Sequence, residues 1–341
     1  RNHDAGLILF PMLTQKQIAG RLGLAQITVS RVLNNHPSVK PATRTRVLAA
    51  LGRGYALNVN ARNLVLGRSG RLALVIPGAE AFQSPFLPLV MGGIAEESRR
   101  RHYAAFFINM QGVGQPADLA GELQGADAAV VFNFSQMRPF LKSLLCAMEC
   151  HRRPYVLAQS HGGGAGPVLS VDNVQGGELA ARHLLELGHR RVAFIGGARS
   201  QESAERRRGF DRELRRAGLA MRPEWLLKVD GFAGIPECAR ALRSARVKGP
   251  TAVFVYSDRV ALGLIYELLK CGWRVPDDIS VVGFNDFHPF VTMFQPHITT
   301  VRQPLHELGV AAVQMALDGV PPPQRRLLPT TLVVRASTRA V

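Results

Sequence analysis

A short N-terminal segment, residues 17–34, concentrates side chains that can hydrogen-bond to base edges or to phosphates. Its apolar positions predict two short helices that share a core, and Gly23 can adopt the positive φ of the turn between them. The second helix then carries a mostly polar exposed face, formed by Gln26, Ile27, Thr28, Ser30 and Arg31. Arginine can bond both acceptors of a guanine edge, glutamine pairs with adenine, and isoleucine contacts a thymine methyl. The segment therefore predicts a helix-turn-helix that reads DNA.

Short donors and a local excess of positive charge favour a phosphate partner for the same region. Thr14, Thr28, Ser30 and Asn34 are suited to contact phosphate oxygens. The chain has 42 Lys and Arg against 25 Asp and Glu, a net charge of +17, and Asp4 is the one acidic residue in residues 1–67. Such charge attracts a polyanion, although it does not say which one. A three-helix module with incidental polar side chains on its surface is the alternative.

From Leu72 onward the pattern changes to strands that alternate with amphipathic helices. Continuous apolar runs predict strands at Leu72–Pro77, Ala104–Asn109, Ala128–Asn133, Tyr155–Ala158, Leu169–Asp172, Arg191–Gly197, Leu227–Asp230, Ala252–Ser257 and Ile279–Gly283. Helical segments between them include Gly176–Leu187, Glu202–Ala217, Pro236–Arg243 and Val260–Cys271. This alternation is typical of parallel sheets covered by helices on both faces. Some ten strands favour two lobes, with a ligand in the cleft where the strands end.

These patterns divide the chain into four parts. We expect a disordered lead at 1–13, an all-α helix-turn-helix head at 14–57 and a hinge helix or linker at 58–70. An α/β core of two doubly wound parallel-sheet lobes follows at 71–341. A Thr-x-x-Gln capping box formed by Thr14 and Gln17 predicts where the first helix begins.

Other classes of protein find little support in the sequence. The four cysteines form no C-x-x-C pair, so we expect free thiols in a reducing, cytoplasmic compartment and no metal. No apolar run approaches the roughly 20 residues that cross a bilayer, so no membrane partner is expected. No G-x-G-x-x-G follows the first strand, and no P-loop or G-x-S-x-G occurs. We therefore expect neither an enzyme nor a cofactor.

Longer stretches of the chain resemble the LacI/GalR family of bacterial transcriptional regulators. The resemblance rests on TVSRVLNNHPSV at 28–39, HLLELGHRRVAFIGG at 183–197, VPDDISVVGF at 275–284 and TTVRQP at 299–304. It implies a periplasmic-binding-protein-like core and a homodimer that binds two half-sites of a near-palindromic operator. It also implies a hinge helix that inserts a leucine, here Leu64, into the minor groove, where an apolar side chain can kink DNA. A leucine that packs on the core is the alternative for Leu64.

The resemblance also assigns site residues. For DNA we expect Thr14, Gln26, Ile27, Thr28, Ser30, Arg31, Asn34, Tyr55, Asn58 and Leu64. For a small-molecule effector, a sugar or sugar derivative by family expectation, we expect Phe86, Arg206, Phe232, Ser257, Asn285 and Gln303. The two phenylalanines could instead be core residues and Arg206 a solvated charge. Asp258 is expected to cap a helix rather than to contact ligand.

Two of these positions depart from the family pattern. Asn285 stands where the family usually has Asp, and Ser257 where it often has Asn. A regulator whose core has lost its ligand and serves only for dimerisation therefore remains an alternative. The segment after Val334 carries no heptad repeat, which favours a dimer over a coiled-coil tetramer. Whether the effector releases or recruits DNA stays open.

Overall fold

The computed structural model describes residues 14–33, 36–51, 63, 67–111, 121–132, 138–150, 152–159, 166–198, 200–244, 248–319 and 324–341. The chain divides into two compact units, Arg1–Arg68 and Ser69–Val341, which contain the predicted head and core. The expected disordered lead and four of the expected DNA contacts lie outside the described residues, namely Asn34, Tyr55, Asn58 and Leu64. None of the helices described is long and apolar enough to span a membrane.

Three helices form the described part of the head: α1 (Gln15–Leu22), α2 (Gln26–Leu33) and α3 (Pro41–Leu51). Thr14 and Gln17 form the predicted capping box, in which each side chain bonds the backbone N–H of the other residue. Gly23 ends α1 with φ +64°, the left-handed conformation that glycine adopts without a Cβ clash. The shared core consists of Ile18, Ala19, Val29, Val32 and Val47.

The core contains two six-stranded sheets. The strands are β1 (Arg71–Ile76), β2 (Ala104–Asn109), β3 (Ala128–Phe132), β4 (Tyr155–Ala158), β5 (Val168–Val171), β6 (Val192–Gly197), β7 (Leu226–Val229), β8 (Ala252–Val255), β9 (Ser280–Asn285), β10 (Thr299–Arg302), β11 (Arg325–Leu328) and β12 (Thr331–Val333). Lobe 1 has the order β11-β5-β4-β3-β1-β2, and lobe 2 the order β12-β10-β9-β8-β6-β7. Strand pairs are parallel except that β12 runs antiparallel to β10. The predicted fold class is confirmed, with one antiparallel edge strand added.

Helices cover both faces of each sheet. They are α4 (Phe86–Arg101), α5 (Arg138–Cys150), α6 (Asn173–Glu186), α7 (Gln201–Arg216), α8 (Ile235–Ser244), α9 (Asp258–Lys270), α10 (Phe290–Met293) and α11 (Leu305–Asp318). Helix α11 packs in lobe 1, although it follows the strands of lobe 2 in the chain. Within the described residues the chain thus passes between the lobes after β5, after β10 and after β11. These passages put the ends of β5 and β10 close to the boundary between the lobes.

A glycine allows the helix bearing Arg206 to pack closely. A Cβ at Gly177, on α6, would lie 1.9 Å from the backbone oxygen of Arg206 on α7. Any residue other than glycine at position 177 would therefore push α7 away from α6. Close approach of α6 and α7 therefore sets the position from which the Arg206 side chain extends.

Candidate effector cleft and DNA-reading helix

Helix α2 presents the face that the sequence predicts. Gln26, Ile27 and Arg31 are exposed, and Ile27 keeps 60% of its surface accessible. Thr28 and Ser30 are half-buried on the same helix. An exposed isoleucine can contact a thymine methyl and an exposed arginine a guanine edge, as the sequence predicts for this helix. The described DNA-binding candidates of α2 therefore lie on one accessible helix.

Thr14 has a structural role in the described head. Its hydroxyl accepts a hydrogen bond from the Gln17 backbone N–H at 3.2 Å and donates to the Gln17 side-chain oxygen at 3.1 Å. A phosphate at Thr14 would therefore share a hydroxyl that already caps α1.

A cleft of about 310 Å³ lies in the core, between the ends of strands from both lobes. This volume falls at the lower end of the range for small-molecule sites. Five of the six predicted effector residues line it: Phe86, Arg206, Ser257, Asn285 and Gln303. Because parallel strands bring their carboxyl ends to one edge, ligands bind there in sheets of this kind.

Arg206 is a buried cation at the cleft. The residue is only 5% exposed, so it is not a solvated surface charge. Its Nε donates to Asn173 Oδ1 at 2.9 Å and its Nη1 to the Tyr256 carbonyl oxygen at 2.5 Å. The guanidinium lies over the Phe284 ring, 3.7 Å from its centroid. Burial lowers the pKa of Arg206 to about 10, which still leaves it protonated at neutral pH.

Asn285 and Asp286 form a kink at the end of β9, with φ of +121° and +58°. Strained backbone of this kind tends to occur at functional sites and is held in place by its surroundings. Here Asp286 is held by Arg302 Nε at 2.6 Å and by Arg335 Nη2 at 2.7 Å. Asn285 lines the cleft, and its Oδ1 accepts from Gln303 Nε2 at 2.6 Å. The two ion pairs therefore fix the amide pair at the cleft wall.

The expectation that Asp258 caps α9 is wrong. Ser257 occupies the N-cap position, without a side-chain capping bond, and Asp258 is the first helical residue. The Asp258 carboxylate instead accepts from Thr300 Oγ1 at 2.5 Å and from the Phe287 N–H at 3.1 Å. Burial raises the pKa of Asp258 to about 6, against these two hydrogen bonds that lower it. Its role is to tie α9 to β10 and to the loop after β9.

Phe232 is not among the residues that line the cleft. It is 53% exposed, so it is not a core residue either. It lines a second cavity, an apolar groove of about 480 Å³ beside α9. Arg259 connects the two, because it lines both cavities and its guanidinium lies 5.0 Å from the Phe232 ring centroid. The outward position of Phe232 depends on its loop after β7, which spacing alone does not predict.

The cleft also contains residues that the sequence analysis did not single out. These are Pro77, Ala81, Ser84, Gln159, Ser200, Glu202, Tyr256, Arg259 and Phe287. Gln159 follows β4 with φ +59° and is 4% exposed. A polar residue directly after a buried strand was the available signal for Gln159, as it was for Tyr256 after β8.

Comparison with known proteins decides the family. Residues 14–53 match "Bacterial regulatory proteins, lacI family", and residues 181–338 match a periplasmic binding protein-like domain. The repressor PurR of Aliivibrio fischeri strain ES114 is 31% identical over 324 residues, covering 91% of this chain and 92% of PurR. The chain belongs to the LacI family. It is accordingly a DNA-binding transcriptional regulator, which agrees with the helix-turn-helix predicted from residues 17–34.

Another relative and two solved structures cover nearly the whole chain. The NTD biosynthesis operon regulator NtdR of Bacillus subtilis is 28% identical over 96% of this chain and its own full length. The regulator CelR in complex with cellobiose superposes with a TM-score of 0.68 at 26% identity, over 95% of this chain and 99% of CelR. The lac repressor dimer bound to operator and the anti-inducer ONPF also superposes with a TM-score of 0.68, at 23% identity over 97% of this chain and 100% of the lac repressor chain. The last of these likenesses concerns the fold alone.

Proposed function

We propose that this protein is a homodimeric repressor whose affinity for an operator changes when a small polyhydroxyl molecule binds the core cleft. The observation that carries the proposal is that one chain combines an exposed reading face on α2 with an open cleft around the buried Arg206. DNA binding alone would not require the cleft, and ligand binding alone would not require the head. Coupling between two such sites is typically worth about 1–3 kcal/mol.

The cleft favours ligand sensing over a core that serves only for dimerisation. Arg206, Asn285 and Gln303 are buried polar groups that line the cavity as well as bonding within the protein. Burying polar groups costs free energy unless they find partners, and a ligand supplies additional ones. Phe86 and Tyr256 add aromatic surface that can cover the C–H face of a sugar ring. Sugars occupy CelR and a LacI-family regulator of Enterococcus faecium, whose structures contain cellobiose and ribose.

Exposed apolar surface on lobe 2 supports the homodimer. Tyr266, Leu269 and Phe294 line the groove beside α9 and are 61%, 45% and 55% exposed. Phe82 and Phe107 form an edge-to-face pair on lobe 1 and are 42% and 46% exposed. Contiguous apolar patches of this kind mark interaction sites. We assign a second copy of the chain as their occupant, because two half-sites require paired heads and the similar lac repressor is a dimer.

Selection of bound duplexes from a random DNA pool tests the DNA-binding part. The full chain is used at near-physiological salt, which suppresses non-specific charge attraction. We expect an enriched near-palindrome, since a dimer places two α2 helices on symmetric half-sites. Arg31→Ala serves as the matched variant, because it changes the reading face and leaves the core intact. Recovery of unrelated sequences, with and without candidate sugars, would contradict the proposal.

The ligand-dependent part needs a separate measurement on the enriched operator. Affinity is measured with and without each member of a sugar panel, by fluorescence anisotropy of a labelled duplex. We expect at least one member to change affinity by about 5–150-fold, the range of ordinary allosteric coupling. A chain that binds the operator but no panel member in any assay would instead support a core that only dimerises.

A further inference from the structure

The charge of the cleft points to the kind of molecule that fills it. Its charged lining residues, among those described, are the cations Arg206 and Arg259 and the single anion Glu202. The remaining polar lining consists of amides, hydroxyls and backbone groups, including Gln159 and Asn285. The described lining therefore carries a net positive charge.

The hydrogen bonds of Arg206 to described residues go to neutral acceptors. Arg206 donates to the amide oxygen of Asn173 and to the carbonyl oxygen of Tyr256. Three nearby carboxylates have other hydrogen-bond donors: Glu202 accepts from Ser200 Oγ at 2.8 Å, Asp258 from Thr300 Oγ1 at 2.5 Å, and Glu205 from Asn173 Nδ2 at 3.2 Å. A guanidinium has five N–H donors, and these two acceptors account for two of them. The planar fork of a guanidinium fits a carboxylate or a phosphate with two parallel bonds.

Asn285 places a hydrogen-bond donor on the wall of the cleft, where an aspartate would place an acceptor. Because its Oδ1 accepts from Gln303 Nε2, the group that Asn285 offers to a ligand is the Nδ2 amide, a donor. An ionised Asp at the same place would offer acceptors only and would add a negative charge beside Arg206. The amide therefore favours a ligand rich in acceptors, and an acidic group is the richest.

We propose that the effector carries an anionic group, a carboxylate or a phosphate, which Arg206 and Arg259 bind on a compact polyhydroxyl skeleton. This inference rests on the proposed ligand-sensing function and narrows its ligand class. The aromatic surface of Phe86 and Phe287 covers the apolar face of the skeleton, and the cleft of about 310 Å³ limits it to the size of one or two rings.

Thermal unfolding of the full chain with matched ligand pairs tests the proposal. The probes are D-gluconate and D-glucuronate as carboxylates, D-glucose 6-phosphate and D-ribose 5-phosphate as phosphates, and D-glucose, D-ribose and cellobiose as neutral partners. Ionic strength is held constant with sodium chloride. We expect an acidic member to raise the midpoint of thermal unfolding by several degrees while its neutral partner leaves it unchanged. Whether the carboxylates or the phosphates produce this rise identifies the anionic group. Neutral members that raise the midpoint as much as the acidic ones, or an acidic set that never exceeds its neutral partners, overturn the inference.

Two variants with opposite charge changes separate electrostatics from a general loss of fit. Asn285→Asp adds a carboxylate of nearly the same shape and should weaken binding of the responding anion at least tenfold. Glu202→Gln removes a carboxylate and should strengthen it. Equal effects of both variants on the acidic and neutral members would refute a charge-based site.

This measurement uses no DNA, so its outcome is independent of operator binding. Neutral sugars that bind the cleft and change operator affinity would leave the proposed function standing while the anionic ligand fails. If an acidic ligand binds the cleft but the DNA selection enriches no operator, the inference about the ligand stands and the proposed repressor function fails.

Discussion

The helix crossing between α4 and α11 offers a test in which two adjacent residues should behave in opposite ways. A Cβ at Gly93 would lie 1.9 Å from the backbone oxygen of His306, whereas a Cβ at Gly92 meets only the His306 ring, at 3.6 Å. Carbon and oxygen normally approach to about 3.3 Å, so Gly93→Ala must move the helices apart by about 1.4 Å. That movement loosens the contacts of the buried side chains at the crossing, such as Val90 and Leu308.

The magnitude follows from two opposing effects. Overpacking a core typically costs about 1–3 kcal/mol, and a backbone clash this close belongs at or above the upper end. Replacing a helical glycine by alanine contributes about 1 kcal/mol of helix propensity in both variants, so this contribution cancels in their difference. We therefore expect Gly93→Ala to be less stable than Gly92→Ala by about 3 kcal/mol or more.

Urea unfolding followed by circular dichroism measures that difference, and thermal unfolding checks it. At about 2–4 °C per kcal/mol for a domain of this size, the midpoints should differ by at least about 6 °C. Gly92→Ala should be at least as stable against unfolding as the unchanged protein. If the two variants agree within about 1 kcal/mol, the close approach of α4 and α11 does not exist as described. The same helices begin beside Phe86 and Gln303, so their crossing also supports the cleft.

Three further predictions concern the reading helix, a buried carboxyl and the dimer surface. Arg31→Ala should cost about 1–3 kcal/mol of operator affinity and relax preference at one symmetric pair of positions, measured by binding to single-base operator variants; a uniform loss over all sequences would make Arg31 a phosphate contact. Because burial raises the pKa of Asp258 to about 6 from 3.8, its protonated form favours folding, and its contribution to stability falls as pH rises through 6. The free energy of unfolding of Asp258→Asn, measured with urea, should therefore rise by about 2 kcal/mol relative to that of the unchanged protein between pH 4.5 and pH 7. If the difference between the two free energies is the same at both pH values, the pKa shift is absent. Leu269→Glu should dissociate the dimer in sedimentation, while Leu327→Glu, at an exposed leucine outside the groove, should not; dimers that persist in both would place the interface elsewhere.

Most of the fold could be predicted because its strands are continuous apolar runs. The nine strands predicted from such runs all agree with the observed ones within two residues at both ends; the largest differences are at the ends of Ala252–Ser257 and Ile279–Gly283. Strands β10, β11 and β12 were not predicted, since β10 and β11 contain arginines and β12 has only three residues. Their placement comes from distant pairing, as where β11 joins β5 across lobe 1.

Some residues of the cleft could also be predicted from the sequence, whereas the positions of others depend on the geometry of loops. The family resemblance brought forward Arg206, Asn285 and Gln303, of which Asn285 lies at the end of a strand that the pattern locates, Arg206 lies on the predicted helix α7 and Gln303 follows the unpredicted β10. It did not indicate Gln159, whose inward position requires a positive φ that no sequence rule assigns to glutamine. It also placed Phe232 at the cleft, although that side chain lies in the groove beside α9. Loop geometry, rather than spacing, decides both cases.

Arg259 links the two surfaces on which the proposed function depends. It stands in the first turn of α9, lines the cleft and lies over Phe232 in the apolar groove. A ligand that draws the guanidinium into the cleft removes it from the surface that we assign to the second copy. Any such coupling is reciprocal, so dimerisation must change ligand affinity by the factor by which ligand changes dimerisation. The Leu269→Glu variant therefore also reports on the cleft, because a monomer that binds ligand as tightly as the dimer would show that Arg259 transmits nothing.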